Sequence, residues 1–168
     1  MLKVVKAKIV RLNQELYRMT AIYIASRLYH SRYMTLYIAH LKRCGVGVGR
    51  PTYIDYTVWL DPVDFSLITI EDDAILARGV VVLVHDYAIT QGLKACGHIL
   101  PKLRRFDSSV YIGKNVFVGV NAILKPGTHL SENCLVASGS VVHGRFSKLT
   151  IEDCQLTIVE FQLSTGDC

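Results

Sequence analysis

The chain contains few of the residues that build disulfide-rich or zinc-binding domains. Its five cysteines lie at positions 44, 96, 134, 154 and 168, without any CxxC spacing and in an odd total. Disulfide frameworks and zinc knuckles need paired or closely spaced cysteines, so neither is predicted. This cysteine usage fits a reducing cytoplasm.

Long apolar runs are also missing. The longest charge-free stretches near the N-terminus, residues 19–26 and 33–41, fall well below the ~20 residues that cross a bilayer. The N-terminal lysines are not followed by an uninterrupted apolar core, so we expect no secretory signal peptide. We therefore predict neither a membrane-spanning helix nor a signal peptide, and the cysteine usage leads us to expect a cytoplasmic protein.

A six-residue period dominates residues 112–142. Aliphatic residues recur every six positions, and a small or β-branched residue follows each of the first five by four. The aliphatic positions are Ile112, Val118, Leu124, Leu130, Val136 and Val142, and the small positions are Val116, Ala122, Thr128, Cys134 and Ser140. This period fits neither an α-helix nor an alternating strand. It predicts a parallel β-helix in which three hexads close one coil of about 18 residues.

The repeat predicts the boundaries of a β-helix domain over residues 51–147. An irregular first coil is expected at 53–69, after a glycine-rich turn at 45–49. The six-residue register then returns at Ile70, Leu76 and Val82, with Ala74 and Val80 at the small positions. Residues 88–111 interrupt it and are predicted to form an exposed excursion loop. The register is lost again in an atypical C-terminal tail at 148–168.

The first fifty residues have a different character from the repeat. They contain ten Lys or Arg residues and one acid, Glu15, for a net charge of +9, whereas the rest of the chain sums to −4. Helical spacing of apolar residues predicts a helix over 4–29 and another over 32–43. The apolar stripe of the first comprises Val5, Ile9, Leu12, Leu16, Met19 and Tyr23, and the second carries Met34, Tyr37, Ile38 and Leu41.

Two interpretations of this N-terminal amphipathic helical extension, residues 1–50, remain open. It either caps one end of the β-helix or lies on an anionic membrane as a peripheral contact. Nucleic-acid binding is not predicted, because no recognised binding motif accompanies the basic residues.

Three segments, 112–119 (IGKNVFVG), 121–127 (NAILKPG) and 137–142 (ASGSVV), resemble the hexapeptide-repeat acyltransferases, most of all the maltose, galactoside and xenobiotic O-acetyltransferase branch. The resemblance implies an all-β core formed by a left-handed parallel β-helix. It also implies a homotrimer with active sites between subunits, acetyl-CoA as co-substrate and no metal ion. We therefore expect acetyl transfer to a hydroxyl of a saccharide, a polysaccharide or a glycolipid precursor.

His85 is the predicted catalytic residue. It follows a hydrophobic coil where the repeat breaks, and the resemblance implies a His-Asp pair at such a break in the active site. An imidazole can remove a proton from an acceptor hydroxyl at neutral pH, so the acceptor oxygen can attack the thioester directly. Asp86 and Tyr87 are candidate substrate-binding residues, and Asp86 either orients the imidazole or holds the turn. Asp61 either orients the acceptor or caps the turn before Pro62.

Matching the chain to the resemblance residue by residue implies a set of CoA contacts. The implied contacts are Gly119, Val120, Ser138, Gly139 and His143. Relatives usually carry Thr-Lys where this chain has His143 and Gly144, so either other cations contact the CoA phosphates or the affinity for CoA is reduced. The candidates are Lys125, Lys148 and the basic residues of the excursion at 94–105.

Three alternatives to an O-acetyltransferase stay open. A zinc lyase of the γ-carbonic-anhydrase kind shares the β-helix, but the histidines at 85, 98, 129 and 143 lack the close downstream pair that it requires. A non-catalytic β-helix scaffold would explain the departures at the C-terminus. An N-acetyltransferase acting on an amino sugar would leave the same repeat and the same histidine.

Overall fold

The computed structural model describes residue 16 and residues 19–27, 30–98 and 105–147. In chain order these contain a helical stretch at 19–27, α1 (His30–Cys44), β1 (Gly47–Val48), β2 (Tyr53–Ile54), β3 (Trp59–Leu60), a 3-10 turn (Phe65–Leu67), β4 (Ile68–Ile70), β5 (Ile75–Leu76), β6 (Val81–Val82), β7 (His85–Asp86), α2 (Ala88–Ala95), β8 (Phe106–Asp107), β9 (Val110–Ile112), β10 (Phe117–Val118), β11 (Ile123–Leu124), β12 (His129–Leu130), β13 (Leu135–Val136), β14 (Val141–Val142) and β15 (Arg145–Phe146).

The strands form three parallel sheets that the chain visits in rotation. Face 1 has the strand order β1-β4-β9-β12-β15, face 2 has β13-β10-β5-β2, and face 3 has β14-β11-β6-β3. Because each coil contributes one short strand to each face, the chain winds as a three-sided β-helix. The predicted fold class is confirmed: an all-β core formed by a left-handed parallel β-helix with N-terminal helices.

The six-residue period is the packing period of the core. All six predicted aliphatic positions from Ile112 to Val142 are buried, as are the small positions Val116, Ala122, Thr128 and Cys134. Strand pairing places Val118 opposite Val136, its equivalent in the following coil. Each aliphatic side chain therefore stacks on its equivalent in the next coil, and the interior is a continuous hydrophobic column.

The β-helix starts earlier than the sequence predicts. A turn is predicted at 45–49, but Gly47–Val48 forms a strand that pairs with Thr69 and Ile70 of β4. Val48, Ile54 and Leu60 are spaced by six and pair one coil below Ile70, Leu76 and Val82. The 3-10 turn lies between Leu60 and Ile70 and makes this corner longer than one hexad. The register of the first coil is therefore hidden in the sequence.

The interruption of the repeat contains a helix and strands and is not simply a loop. Within the predicted excursion at 88–111, α2 occupies its start and β9 belongs to the β-helix. The strand β7 pairs antiparallel with β8, with His85 opposite Asp107 and Asp86 opposite Phe106. This two-stranded ribbon holds the two ends of the excursion together at the end of face 3.

The helix α1 packs on the first coil, as the capping interpretation predicts. Its buried residues are Tyr33, Met34, Tyr37 and Leu41, with Ile38 packed beside them. The hydroxyl of Tyr33 donates to the carbonyl of Ile54, and the backbone N–H of Ile54 points to the sulfur of Met34 at 3.5 Å. The predicted apolar face of this helix therefore meets the core.

In the preceding helical stretch, the predicted apolar stripe does not face the core. Leu16, Met19 and Tyr23, three members of this stripe, are exposed, whereas Ile22 is buried. The buried face is therefore rotated relative to the predicted stripe, because Ile22 and Ala25 are the residues that meet the core. The other predicted members, Val5, Ile9 and Leu12, lie outside the described residues.

Within the described part of the chain, no helix is both long and apolar enough to cross a membrane.

The last coil closes early. Leu130 pairs with Phe146, whereas an unbroken six-residue register would bring position 148 to that place. Gly144 makes the shortened corner with a φ of +99°, a left-handed conformation that glycine adopts without steric cost. The predicted atypical tail at 148–168 lies outside the described residues.

Leu124→Ala should strongly destabilise the column. Leu124 is fully buried in face 3, and deleting its isobutyl group leaves a cavity between two stacked coils. We expect the free energy of unfolding to fall by about 2–5 kcal/mol, measured by urea denaturation. Val63→Ala, which shortens an aliphatic side chain that is 39% exposed, is the control and should change it by less than about 0.5 kcal/mol. Equal effects of the two variants would contradict the burial pattern.

Candidate active site

The predicted catalytic histidine is held by a buried aspartate. Nδ1 of His85 contacts Oδ2 of Asp61, and the Asp61 side chain is fully buried while that of His85 is 23% exposed. Asp61 Oδ2 also accepts a hydrogen bond from the backbone N–H of Val84 at 3.0 Å, and its Oδ1 accepts one from Val63 at 3.1 Å. The carboxylate therefore joins the first coil to the turn that carries His85.

The environment of Asp61 keeps its carboxyl group ionised. Burial acts to raise the pKa of Asp61, but the hydrogen bonds from the Val84 and Val63 amides and from His85 outweigh it, and the pKa lies below its ordinary value. An ionised carboxylate has no proton to donate, so Nδ1 of His85 must be the donor. In the neutral imidazole the lone pair is then on Nε2, the nitrogen that can accept a proton.

The structure corrects the predicted role of Asp61. The turn-capping interpretation is confirmed, because its Oδ1 accepts from the Val63 N–H directly after Pro62. Contact with an acceptor does not fit a fully buried side chain, and the carboxylate contacts His85 instead. Leu60 pairs with Val82 one coil above, which brings the residue after Leu60 close to the turn after Val82. The six-residue spacing predicts this pairing only when the lengthened corner after Leu60 is allowed for.

Asp86 holds the turn and does not orient the imidazole. Its Oδ1 accepts from the backbone N–H of Ala88 at 2.7 Å, which is the first residue of α2, and its Oδ2 lies 3.2 Å from Nζ of Lys125. The Ala88 amide lowers the pKa of Asp86 most strongly; burial opposes this effect and Lys125 supports it. Of the two functions predicted for Asp86, the described contacts support the structural one.

Tyr87 lies against the imidazole. Its ring meets that of His85 edge to face, with centroids 5.5 Å apart, and its side chain is exposed. Arg105 forms a two-point ion pair with Asp107, whose backbone lies opposite that of His85 in the β7–β8 ribbon. The Tyr87 ring thus lies beside the imidazole and is exposed to solvent, and its contact with a substrate remains a prediction.

The predicted CoA contacts fall at two different corners of the β-helix. Gly119, Val120, Ser138 and Gly139 lie between faces 2 and 3, whereas His143 follows β14 at the other end of face 3. At that end, successive coils place Asp61, the His85 turn, Lys125 and His143 in order. His143 Nδ1 lies 3.0 Å from the carbonyl of Pro126 and donates to it, so one nitrogen of this ring is used within the fold.

At the corner between faces 2 and 3, hydrogen bonds join the coil of Gly119 and Val120 to the next coil, which contains Ser138 and Gly139. The backbone N–H of Val120 donates to the hydroxyl of Ser138 at 3.1 Å, and the N–H of Gly139 donates to the carbonyl of Val120 at 2.8 Å. Val120 and Ser138 are nevertheless exposed on the surface. The predicted contact of these residues with CoA remains a prediction.

The remaining predicted cations have different positions. Lys125 lies at the His85 corner, where it pairs with Asp86. Lys94 and His98 are exposed in and after α2, and Arg105 is paired with Asp107. Lys148, Lys102 and Arg104 lie outside the described residues.

Within the residues that are described, no group of three or more His, Cys, Asp and Glu side chains is arranged to hold a metal ion.

Gly119→Ala should disturb the corner between faces 2 and 3. A Cβ at Gly119 would lie 2.5 Å from the backbone nitrogen of Ser138 and 2.8 Å from its Cα, so the next coil must move. We expect the free energy of unfolding to fall by about 1–3 kcal/mol, measured by thermal or urea denaturation. Gly92→Ala is the matched control: its Cβ meets nothing within 4 Å in α2, and it should be neutral or stabilising. An unchanged Gly119→Ala protein would contradict the close stacking.

The fold and its repeat define the chain as a β-helix protein built from hexapeptide repeats. Residues 109–143 match the family described as "Hexapeptide repeat of succinyl-transferase". The chain is also 25% identical over 97 residues to the galactoside O-acetyltransferase of Escherichia coli (strain K12), a match that covers 58% of this chain and 44% of that protein. The chain thus spans less than half the length of this curated relative. The two matches confirm the predicted resemblance to the hexapeptide-repeat acetyltransferases.

A solved structure was also matched at a low level of superposition. A maltose O-acetyltransferase from Clostridium difficile 630 superposes with a TM-score of 0.45 and 18% sequence identity, and the match covers 79% of both chains.

Proposed function

We propose that the protein is an acetyl-CoA-dependent O-acetyltransferase that acts on a hydroxyl group of a saccharide. The observation that carries this proposal is the His85–Asp61 pair, in which a buried carboxylate supports a partly exposed imidazole where the repeat breaks. The similarity to a galactoside O-acetyltransferase supports the reaction class and the acceptor class.

The pair is suited to general-base catalysis. Asp61 keeps the proton of the neutral ring on Nδ1, so Nε2 of His85 can take the proton of the acceptor hydroxyl. The acceptor oxygen forms a bond to the acetyl carbon while the bond from that carbon to sulfur breaks. The imidazolium then returns the proton to the departing thiolate, which leaves free CoA and an acetyl ester. Throughout this cycle, ionised Asp61 stabilises the positive charge on His85.

We place acetyl-CoA along the outside of face 3, between the two corners that hold the predicted contacts. Gly119, Val120, Ser138 and Gly139 would line one end of the pantetheine arm, and His143 with Lys125 would lie at the end nearest His85. Short side chains at the first corner support this proposal, because they let an extended arm approach the backbone.

We also propose a homotrimer with the active sites between subunits. Support comes from the outward positions of faces 2 and 3, where apolar side chains stack in register. They are Phe117 and Leu135 on face 2, and Trp59, Val81, Ile123 and Val141 on face 3. Trp59, Phe117, Leu135 and Val141 are exposed, and Val81 and Ile123 are half-buried. Outward apolar ladders of this kind are typical of surfaces that bind another protein chain. Sedimentation equilibrium should give three times the monomer mass.

Acetyl-CoA consumption tests the proposal. Release of free CoA thiol should be followed with a panel of glycans, sugar nucleotides and amino sugars, and binding of acetyl-CoA should be measured separately by calorimetry. Turnover with hydroxyl acceptors is the expected result. Turnover restricted to amino sugars would replace the proposal with N-acetyl transfer. Absence of both turnover and acetyl-CoA binding would support a non-catalytic scaffold.

A further inference from the structure

The N-terminal helices present a surface that the His85 site does not use. In the helical stretch at 19–27, Ile22 and Ala25 face the core, whereas Met19, Tyr23 and Ile24 are exposed by 44%, 47% and 50%. Leu16, one turn before Met19, is 67% exposed. Leu16, Met19, Tyr23 and Ile24 form what we call the apolar helical face, in which the Tyr23 ring also meets the Tyr56 ring edge to face, with centroids 5.5 Å apart. An exposed apolar cluster of this kind on a surface helix is typical of an interaction site.

The charged side chains of the segment that carries this face have one sign. Residues 16–50 contain six Lys or Arg and no acidic residue. Arg27 lies beside the apolar helical face, with its guanidinium carbon 5.7 Å from the centre of the Tyr23 ring. On α1, Tyr37 and Leu41 are buried, whereas the basic residues Lys42 and Arg43 of its last turn are exposed.

We propose that these helices bind the surface of a membrane that contains anionic lipids. The apolar helical face would insert among the upper acyl chains, while Arg27, Lys42 and Arg43 would meet lipid phosphates. This combination of exposed apolar side chains and exposed cations is what an interfacial helix requires. A second copy of the chain fits less well, because two such surfaces facing each other would oppose cations with cations.

This inference does not depend on acetyl transfer, and it concerns where the protein works. An enzyme attached in this way would be held at the membrane surface, where lipid-linked saccharides are found. The peripheral membrane contact predicted from the sequence is thus extended to particular residues, and the cytoplasmic location remains a prediction.

Vesicle co-sedimentation of the full chain tests the proposal. Wild-type protein should bind vesicles that mix phosphatidylcholine with phosphatidylserine at least tenfold more tightly than vesicles of phosphatidylcholine alone. Binding should weaken at least fivefold when the salt concentration rises from about 0.1 to 0.5 M, because salt screens the charge attraction. Met19→Asp/Ile24→Asp should reduce binding at least tenfold, since it removes two of the inserted apolar side chains.

A matched pair of charge variants separates local attraction from overall charge. Lys42→Glu/Arg43→Glu should lower binding to anionic vesicles tenfold or more, whereas Lys114→Glu/Arg145→Glu, an equal change of charge on the β-helix, should lower it by less than threefold. The proposal is overturned if the wild type binds anionic vesicles no more tightly than neutral ones, or if both charge variants lose binding to the same extent. It is also overturned if Met19→Asp/Ile24→Asp changes only the oligomeric state and not the binding to vesicles. The wild-type comparison of two lipid compositions does not depend on any variant folding.

Discussion

Replacing His85 with alanine should lower kcat by about 10²–10⁴-fold, the usual contribution of a general base, while the fold and the binding of acetyl-CoA remain. The buried carboxylate of Asp61 fixes the tautomer of this imidazole and leaves Nε2 with its lone pair. The side chain is 23% exposed, so its removal leaves a small surface gap and little loss of core packing. The assay is thiol release with any acceptor that the wild type acetylates, together with circular dichroism and calorimetric binding of acetyl-CoA.

His129→Ala is the matched control for this experiment. His129 stacks on Tyr111 on the outside of face 1, with ring centroids 4.6 Å apart, and so lies on a different face from the Asp61 corner. We expect the control to keep kcat within about twofold of the wild type. A folded His85→Ala protein that retains more than a tenth of the wild-type kcat would show that another group removes the proton.

Asp61→Asn should lower kcat by about 10²–10⁴-fold with little change in KM, because an amide cannot hold the imidazole in the same tautomer. Asparagine keeps the shape of the side chain, and its oxygen can still accept from the Val63 or Val84 amide. Its NH₂ group, however, is a donor and would favour the proton on Nε2 of His85. Asp61 thus acts as a positioning residue, and its loss should appear in kcat and not in KM.

A second aspartate separates tautomer control from a structural effect of Asp61. Asp64→Asn alters a nearby carboxylate that caps the 3-10 turn through Ser66, so it should leave kcat within about twofold. If Asp64→Asn and Asp61→Asn lose activity equally, or if Asp61→Asn raises KM alone, the positioning role is wrong.

The acid stability of the wild type and of Asp61→Asn should also differ. The pKa of Asp61 in the folded protein lies below its ordinary value, so its stabilising contribution is present above the unfolded-state pKa of about 3.9 and is lost as the pH falls through the lower folded-state value. Asp61→Asn lacks this contribution at every pH. Urea denaturation between pH 3 and 7 should therefore show that the stability difference between wild type and variant narrows as the pH falls below about 4. A difference that stays constant over this range would contradict an ionised Asp61.

The β-helix can be predicted from the sequence because each face of each coil needs an inward aliphatic side chain at the same position. Leu124 and Leu130 occupy equivalent positions on successive faces, and each must point inward for the next coil to stack. The sequence does not reveal the strand at Gly47–Val48, because the 3-10 turn after Leu60 lengthens one corner and hides the spacing. A six-residue search that tolerates one insertion would find Val48, Ile54 and Leu60.

Only part of the candidate active site can be predicted from the sequence. The position of His85 at the break of the repeat marks it as the candidate. The sequence and the resemblance leave open whether the neighbouring Asp86 orients the imidazole or holds the turn. The true partner, Asp61, is 24 residues earlier in the chain and comes close only because one coil stacks on the next. Asp86 instead holds Lys125 and the start of α2.

The apolar helical face could also be predicted only in part from the sequence. Periodicity identifies an amphipathic helix around Met19 and Tyr23, but it does not tell which of two apolar sides meets the core. Contact with the core selects Ile22 and leaves Met19 in solvent.

The amino-acid sequence by itself determined the six-residue column, the break after His85 and the concentration of positive charge in the first fifty residues, because each depends on local spacing or composition. Only the tertiary structure decided that Asp61 supports His85, that the predicted CoA contacts divide between two corners, and that Met19 and Ile24 face outward. These features depend on which coils and helices come to lie against one another, and packing between residues distant in the chain is not encoded in any local period.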